Sequence, residues 1–259
     1  MKCRLCSGET ASFGQSTMLR RINVTYYHCS NCGYTQTEDP FWLEEAYSSA
    51  LSSLDVGAVN RNMRFESITQ AIIQTFLNPD GTFVDYGGGY GLFVRLMRDR
   101  GFDFYWMDKF AENLFAKGFE YQQNTTFSEA CTAFEVFEHL VHPLEEIENM
   151  LKISRNVIFS TMLMPAHLPK PGAWWYYVPE TGQHVGFFSK KSLEWLANKY
   201  GLHLASDGVG FHMLSEKPVN QLIFSVLTKM RPTQFVNLFR KRVSLAGADS
   251  NSLRERLYK

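Results

Sequence analysis

The chain has 259 residues with 26 basic and 26 acidic side chains, so its formal charge is zero and no global attraction to a polyanion is built in. That length can bury one large core, or one main domain with a small appendage. Apolar residues make up 45% of the chain but fall in short runs that cannot cross a bilayer, and residues 1–10 lack the basic-then-apolar pattern of a secretory leader, so a cytoplasmic protein is expected.

The first feature in chain order is a set of cysteines. Cys3 and Cys6 form one C-x-x-C and Cys29 and Cys32 another. In a reducing compartment two such pairs point to a metal rather than to disulfides. Each pair sets two thiolates on a tight turn, and together they complete the tetrahedral sulfur set that zinc favours. A structural zinc-binding unit is therefore expected over residues 1–40, with redox dithiols or unligated thiols as the alternative. A closed set of four thiolates leaves no open position, so this metal is not expected to be catalytic. Cys131, in a later apolar segment, reads as a core residue.

Residues 41–78 carry apolar side chains at helical spacing in "DPFWLEEAYSSALSSLD" and "VNRNMRFESITQAIIQTFL" and are predicted as a helical linker. "NPDG" makes a turn, after which strand and helix signals alternate. Residues 83–86, "FDFYWMD", "EACTAFEV" and "RNVIFSTML" read as strands, and residues 92–98, "AENLFAKG" and "PLEEIENMLK" as helices. This is the pattern of a doubly wound, mostly parallel α/β sheet, whose ligands lie at the carboxyl ends of the strands. Residues 165–188 interrupt it with a long aromatic loop, a length more often functional than idle. "SKKSLEWLANKYGL" resumes as a helix capped by Ser189 and ending at Gly201, and "HLASDGVGFHMLSE" reads as two strands joined through Gly208 and Gly210. The main domain is thus set at 79–216. Residues 217–259 form a basic extension in which "PVNQLIFSVLTKM" and "TQFVNLFRKRVS" look helical.

The segment "FVDYGGGYG", residues 83–91, sits where the first strand turns into the first helix of the alternation. A P-loop would need a lysine followed by serine or threonine, which does not come, and the dinucleotide fingerprint started at Gly87 requires glycine where Leu92 stands. What fits is D-x-G-x-G-x-G, as Asp85, Gly87, Gly89 and Gly91. Here the sequence resembles the class I S-adenosylmethionine-dependent methyltransferases. The resemblance implies a Rossmann-like, seven-stranded sheet and S-adenosylmethionine as cofactor. It places Asp85 near the amino group of the methionine portion and Asp108, which closes the next strand, on the ribose hydroxyls. A bare turn suits a ligand whose aminoacyl arm and ribose lie close against the backbone. "TAFEVFEHLVHPLEEI" resembles the fourth motif of the branch that carries E-x-x-E-H. By that match Phe134 and Glu135 line the methionine end of the cofactor, Glu138 and His139 lie just beyond, and His139 is a catalytic candidate beside the alternative of a loop-fixing role.

Paired C-x-x-C knuckles ahead of such a domain resemble the zinc-containing sugar methyltransferases, which act on nucleotide-linked or glycan-bound deoxysugars. Their H-x-x-[YF]-[FY]-S segment, in which the histidine is the base, is matched by "HVGFFS" with His184 in that place. A histidine suits proton removal near neutrality. Trp174, Trp175, Tyr176 and Tyr177 could form a stacking wall for a sugar, or a lid on the core, and Glu180 and Gln183 are candidates for binding hydroxyls. The expected acceptor is a small molecule, sugar or glycan precursor. An RNA base methyltransferase with a zinc knuckle is the first alternative, disfavoured by the neutral charge, and a non-catalytic zinc-nucleated interaction protein the second. From Lys229 to Lys259 eight basic residues face only Asp249 and Glu255, which suits a solvated helix face or a peripheral contact with an anionic membrane.

Overall fold

The computed structural model describes residues 1–47, 55–122, 127–230 and 241–258. Near the N-terminus β1 (Ala11–Met18) and β2 (Ile22–His28) make an antiparallel hairpin in which Met18 faces Ile22, with Leu19 and Arg20 turning it at positive φ. The short β3 (Thr35–Thr37) extends this sheet beyond β2 and is wholly buried. A one-turn helix α1 (Leu43–Ala46) follows, and the rest of that predicted helix lies largely outside the described residues.

The main domain opens with α2 (Ala58–Phe76), β4 (Thr82–Tyr86), α3 (Leu92–Asp99) and β5 (Asp103–Met107). It continues through β6 (Ala130–Ala133), α4 (Pro143–Ile153) and β7 (Val157–Ser160). After the aromatic loop come β8 (Gly186–Phe187), α5 (Lys190–Tyr200), β9 (His203–Ser206) and β10 (Phe211–Ser215), then α6 (Gln221–Lys229) and α7 (Ala246–Leu257). Six strands form one sheet in the order β5-β4-β6-β7-β10-β9, parallel except where β10 runs against β7 and β9. The strand residues of β6 and β7 are buried throughout because helices cover both faces. On one face lie Ile68, Ile72, Val94, Met97, Phe224 and Leu227 from α2, α3 and α6, and on the other Ile147, Met150, Leu193 and Leu196 from α4 and α5. Ser189 caps α5 with a reciprocal pair of hydrogen bonds to Ser192, and Gly201 ends it in the left-handed region, as its sequence predicts.

Two expectations are corrected. The sheet has six strands among the described residues rather than seven. Beyond β5 only a single parallel bridge remains, Trp106 with Glu120. "AENLFAKG" is not a helix, because its backbone donors are taken elsewhere: Leu114 and Phe115 both donate to the Tyr90 carbonyl, and Ala116 donates to the Asn113 side chain. The cysteine unit is joined to the rest of the chain by strand pairing. Its β3 pairs with β8 from the far end of the aromatic loop, so the N-terminal sheet runs β1-β2-β3-β8.

The C-terminal segment is anchored rather than free. Asp249 on α7 accepts two hydrogen bonds from Arg98 on α3, Arg242 donates to the Gly101 carbonyl and pairs with Asp80, and Arg256 donates to the Gly118 carbonyl. The predicted helix "TQFVNLFRKRVS" lies mostly outside the described residues. No helix among the described residues is long and apolar enough to cross a membrane.

Candidate active site

The central strand β4 carries Asp85 to the carboxyl edge of the sheet, between Trp106 of β5 and Thr132 of β6 in register. Gly87, Gly89 and Gly91 all take positive φ, at 68°, 52° and 84°, so the alternate glycines of the motif are required by the turn itself. The turn is then tied down: the Gly87 amide donates to the Met107 carbonyl at 2.8 Å, and the indole of Trp106 donates to the Gly89 carbonyl at 2.7 Å. Asp108 accepts from the Gly89 amide at 2.9 Å and from the amides of Phe110 and Ala111 at 2.7 and 2.8 Å. It therefore shapes the floor of the turn, and its carboxylate keeps lone pairs beyond these bonds.

Asp85 is 3% exposed, and its one side-chain partner is the hydroxyl of Thr132, which donates at 2.6 Å. Burial pushes its carboxyl up to about 7, with the Asp108 charge adding to the effect and the Thr132 bond opposing it. A buried carboxylate with no cationic partner among the described residues, at the start of a glycine-rich turn, fits the ammonium group of an amino-acid moiety. The residues present thus suit S-adenosylmethionine.

Beyond β6 the chain bends sharply at Glu135, a non-glycine residue at φ 54°, a conformation that marks functional sites more often than ordinary loops. Ser160 supports the bend by accepting from the Glu135 amide at 2.8 Å and donating to its carboxylate at 2.6 Å, and Arg61 of α2 stands 3.6 Å from that carboxylate. Arg61 is itself held by two hydrogen bonds to Asp55. Phe134 points away from this cluster into the α2 face, stacking on Phe65 with ring centres 4.6 Å apart. The following turn of 3-10 helix, Phe137–His139, brings in Glu138, which is fully buried and whose two carboxylate oxygens have no partner in good hydrogen-bond geometry among the described residues. Burial pushes the carboxyls of Glu135 and Glu138 up to about 7 each.

The aromatic loop returns His184 to this point. The rings of His139 and His184 meet edge to face with centres 4.8 Å apart. Nδ1 of His184 lies 2.7 Å from the Tyr176 carbonyl; a carbonyl can only accept, so this nitrogen carries the proton and Nε2 presents a lone pair. His139 shares a hydrogen bond of 2.9 Å between Nδ1 and the Tyr47 hydroxyl. Burial pushes the His139 pKa down to about 3 and lowers that of His184, so both imidazoles are neutral near pH 7. Tyr47 also stacks on Phe110, two residues past Asp108, and thereby joins the cofactor turn to the histidine pair.

The predicted acceptor residues divide. Tyr176 is buried with its hydroxyl 3.5 Å from that of Thr161, close enough to Glu138 to favour the charged carboxylate. Tyr177 belongs to the core of the N-terminal sheet, where it donates to the Pro169 carbonyl at 2.7 Å and packs on Tyr26 and Phe187. Gln183 is buried and donates to the Ala46 carbonyl, and Glu180 is exposed and apart from the cluster. Of the aromatic run only Trp175 is open to solvent, so most of the expected stacking wall is core. Sequence reasoning missed Tyr47, Arg61, Thr132 and Ser160. Nothing in the sequence pairs Tyr47 with His139 across 92 positions.

The four N-terminal cysteines converge as expected. They are free thiols with all four sulfurs within 4.8 Å of one another, Cys3 to Cys32 at 3.7 Å and Cys6 to Cys29 at 3.5 Å. A tetrahedron with bonds of about 2.3 Å has edges of about 3.8 Å, so the set fits a zinc ion.

Residues 60–206 match the family described as methyltransferase domain. No curated protein matches the chain. Among solved structures it is similar to CalO1, a methyltransferase in calicheamicin biosynthesis in its SAH-bound form, at 14% identity and a TM-score of 0.45 over 69% of this chain and 60% of that one. It is similar to TnmH at 17% identity and a TM-score of 0.45, over 68% of this chain and 61% of that one. It is also similar to the 1,6-didemethyltoxoflavin-N1-methyltransferase of Burkholderia thailandensis, at 13% identity and a TM-score of 0.48 over 74% of this chain and 93% of that one. The chain thus spans about three-fifths of the length of the first two structures.

Proposed function

The chain belongs to the methyltransferase-domain family, S-adenosylmethionine-dependent enzymes, and from that premise we propose that it methylates a hydroxyl of a small sugar or glycan precursor docked over Glu135, Glu138, His139 and His184. The observation that carries this reading is the pair of neutral histidines joined through Tyr47 and Phe110 to the turn that holds Asp108, beside Asp85, a buried carboxylate with no cationic partner among the described residues.

When bound, S-adenosylmethionine supplies a methyl group on a positively charged sulfur, a strong electrophile. The chain's part is to hold and align. Asp85 takes the ammonium end, the turn from Gly87 to Gly91 lies against the ligand backbone, and Asp108 accepts from the ribose hydroxyls. His184 takes the acceptor proton at Nε2, because the Tyr176 carbonyl fixes the tautomer that leaves this nitrogen basic. Trp175 offers an exposed ring to a sugar face. The cysteine unit holds zinc as a structural ion and keeps β3 paired with β8, which begins two residues after His184.

Calorimetric titration with S-adenosylmethionine tests the cofactor half, and absence of binding overturns it. A His184→Ala protein that binds the cofactor as tightly as wild type but turns over at least 100-fold more slowly supports the proton acceptor; equal turnover removes it.

A further inference from the structure

Glu138 is fully buried, the Tyr176 and Thr161 hydroxyls face it, and neither carboxylate oxygen has a partner in good hydrogen-bond geometry among the described residues, so its charged form is costly unless a cation neutralises it. One donor atom from each of Glu138, His139 and His184 lies within 4.8 Å of the others.

We propose that Glu138, His139 and His184 form a binding site for a divalent transition-metal cation, separate from the four-cysteine set. Two imidazoles and one carboxylate are the donor mixture such ions prefer over magnesium or calcium. Two ligands of one cation with bonds of about 2.1 Å stand at most about 4.2 Å apart, so small side-chain rotations close the site. The outer contacts are already those of a metal ligand: His184 donates its Nδ1 proton to the Tyr176 carbonyl and turns Nε2 inward, and His139 is oriented by the Tyr47 hydroxyl. The fold also builds the site from two separate segments. The backbone bond from the Val185 amide to the Glu138 carbonyl, at 2.9 Å, brings the aromatic loop onto the turn after β6.

This inference rests on the methyl-transfer reading and alters one part of it. With the cation present, His184 is a ligand rather than the proton acceptor. The cation binds the acceptor hydroxyl and lowers its pKa; the proton leaves to water, the oxygen bonds to the methyl carbon, and the carbon–sulfur bond breaks.

The test uses full-length protein with its cysteine site loaded with zinc. Mn2+ is titrated in and the free ion followed by electron paramagnetic resonance. The expected result is one additional ion per chain, with Glu138→Gln and His184→Gln each weakening uptake tenfold or more while thermal unfolding stays cooperative. Independently of any variant, Co2+ in this site is expected to show weak d–d absorption without a thiolate charge-transfer band. No uptake of Mn2+ or Co2+ beyond the zinc-loaded cysteines overturns the proposal, as does undiminished uptake in both variants. Titration of S-adenosylmethionine on the same samples separates the two readings: metal uptake without cofactor binding retains the cation site and sinks the methyl transfer.

Discussion

The Val185 amide donates to the Glu138 carbonyl at 2.9 Å, and the Val185 carbonyl accepts from the Thr37 amide at 3.0 Å. The residue next to His184 is therefore clipped on one side to the loop that carries Glu138 and His139, and on the other to the last strand of the cysteine unit. Trp42 adds a third tie by donating to the Gly182 carbonyl at 2.9 Å. Three segments distant in sequence thus share one short piece of chain at the reactive end of the sheet. On the reading proposed above, that arrangement lets the N-terminal unit fix the position of His184 as well as its own fold.

Gly186, in the first position of β8, is the tightest point of this arrangement. A Cβ there would lie 2.1 Å from the Tyr34 hydroxyl oxygen, itself buried without a partner. Gly186→Ala is expected to cost about 1–3 kcal/mol, the usual range for forcing a methyl group into a packed interior. Urea unfolding measures the loss. Adding Tyr34→Phe removes the clashing oxygen and should recover much of it; an unaltered midpoint in the single variant contradicts the close packing.

Removing two thiolates tests whether the metal unit organises the catalytic loop. A Cys29→Ser, Cys32→Ser protein is expected to lose the zinc proposed for this site and the hydrogen-exchange protection of Thr37, whose amide donates to the Val185 carbonyl. Cofactor affinity should stay within a few-fold of wild type, because Asp85 and Asp108 are held by Thr132 and by the amides of Gly89, Phe110 and Ala111, while turnover falls at least tenfold. Loss of cofactor binding together with turnover would point instead to global unfolding.

What the sequence made legible and what it hid have separate physical causes. The glycine turn was readable because three alternate positions at positive φ leave little choice of residue. The parallel core was readable because apolar runs between helices have few other solutions. The loss of the "AENLFAKG" helix was not readable: helical spacing is present, but the Tyr90 carbonyl, more than twenty positions away, captures two of its amides. Among the described residues the position expected for a seventh strand holds one bridge, at Glu120, a length no pattern records. The aromatic run could be recognised as important without revealing that Tyr176 faces Glu138 while its neighbour Tyr177 is core. Tyr47 and Arg61 enter the site only through tertiary contacts with His139 and Glu135.

Asp85 gives the protein a defined pH response. Its folded pKa of about 7 lies above the ordinary aspartate value, so the stability it contributes is complete below about pH 4 and is lost as pH rises through 7, by about 4 kcal/mol at most. A bound ammonium group reverses that loss by pairing with the charged carboxylate. S-adenosylmethionine should therefore raise the melting temperature more at pH 8 than at pH 5.5, and its affinity should climb about tenfold over the same interval. Asp85→Asn is expected to flatten both trends and weaken binding. A pH-independent affinity in the wild-type protein would count against Asp85 as the ammonium partner.

Arg98 and Asp249 join α3 to α7 through a two-point contact of 2.9 and 2.7 Å, with each side chain 6% exposed. Arg98 also donates to Asp103 at 2.6 Å and to the Phe104 carbonyl at 2.9 Å, and its guanidinium lies 3.8 Å from the centre of the Phe119 ring. Asp249→Ala removes the two-point contact but leaves Arg98 its bonds to Asp103 and the Phe104 carbonyl, so it should cost about 1.5–3 kcal/mol, whereas replacing both with apolar residues, as Arg98→Met with Asp249→Leu, should recover most of that. Burial pushes the Asp249 carboxyl up, but the hydrogen bonds and charges of Arg98 and Arg95 outweigh it and hold the pKa below the usual range. The contact's stabilisation is thus present above about pH 4 and lost as pH falls further, through the folded pKa. Denaturant titrations from pH 6 down to pH 3 should show a steeper loss in wild type than in the doubly apolar variant. Parallel curves would mean that α7 is held by its packing and backbone contacts, with the ion pair contributing little.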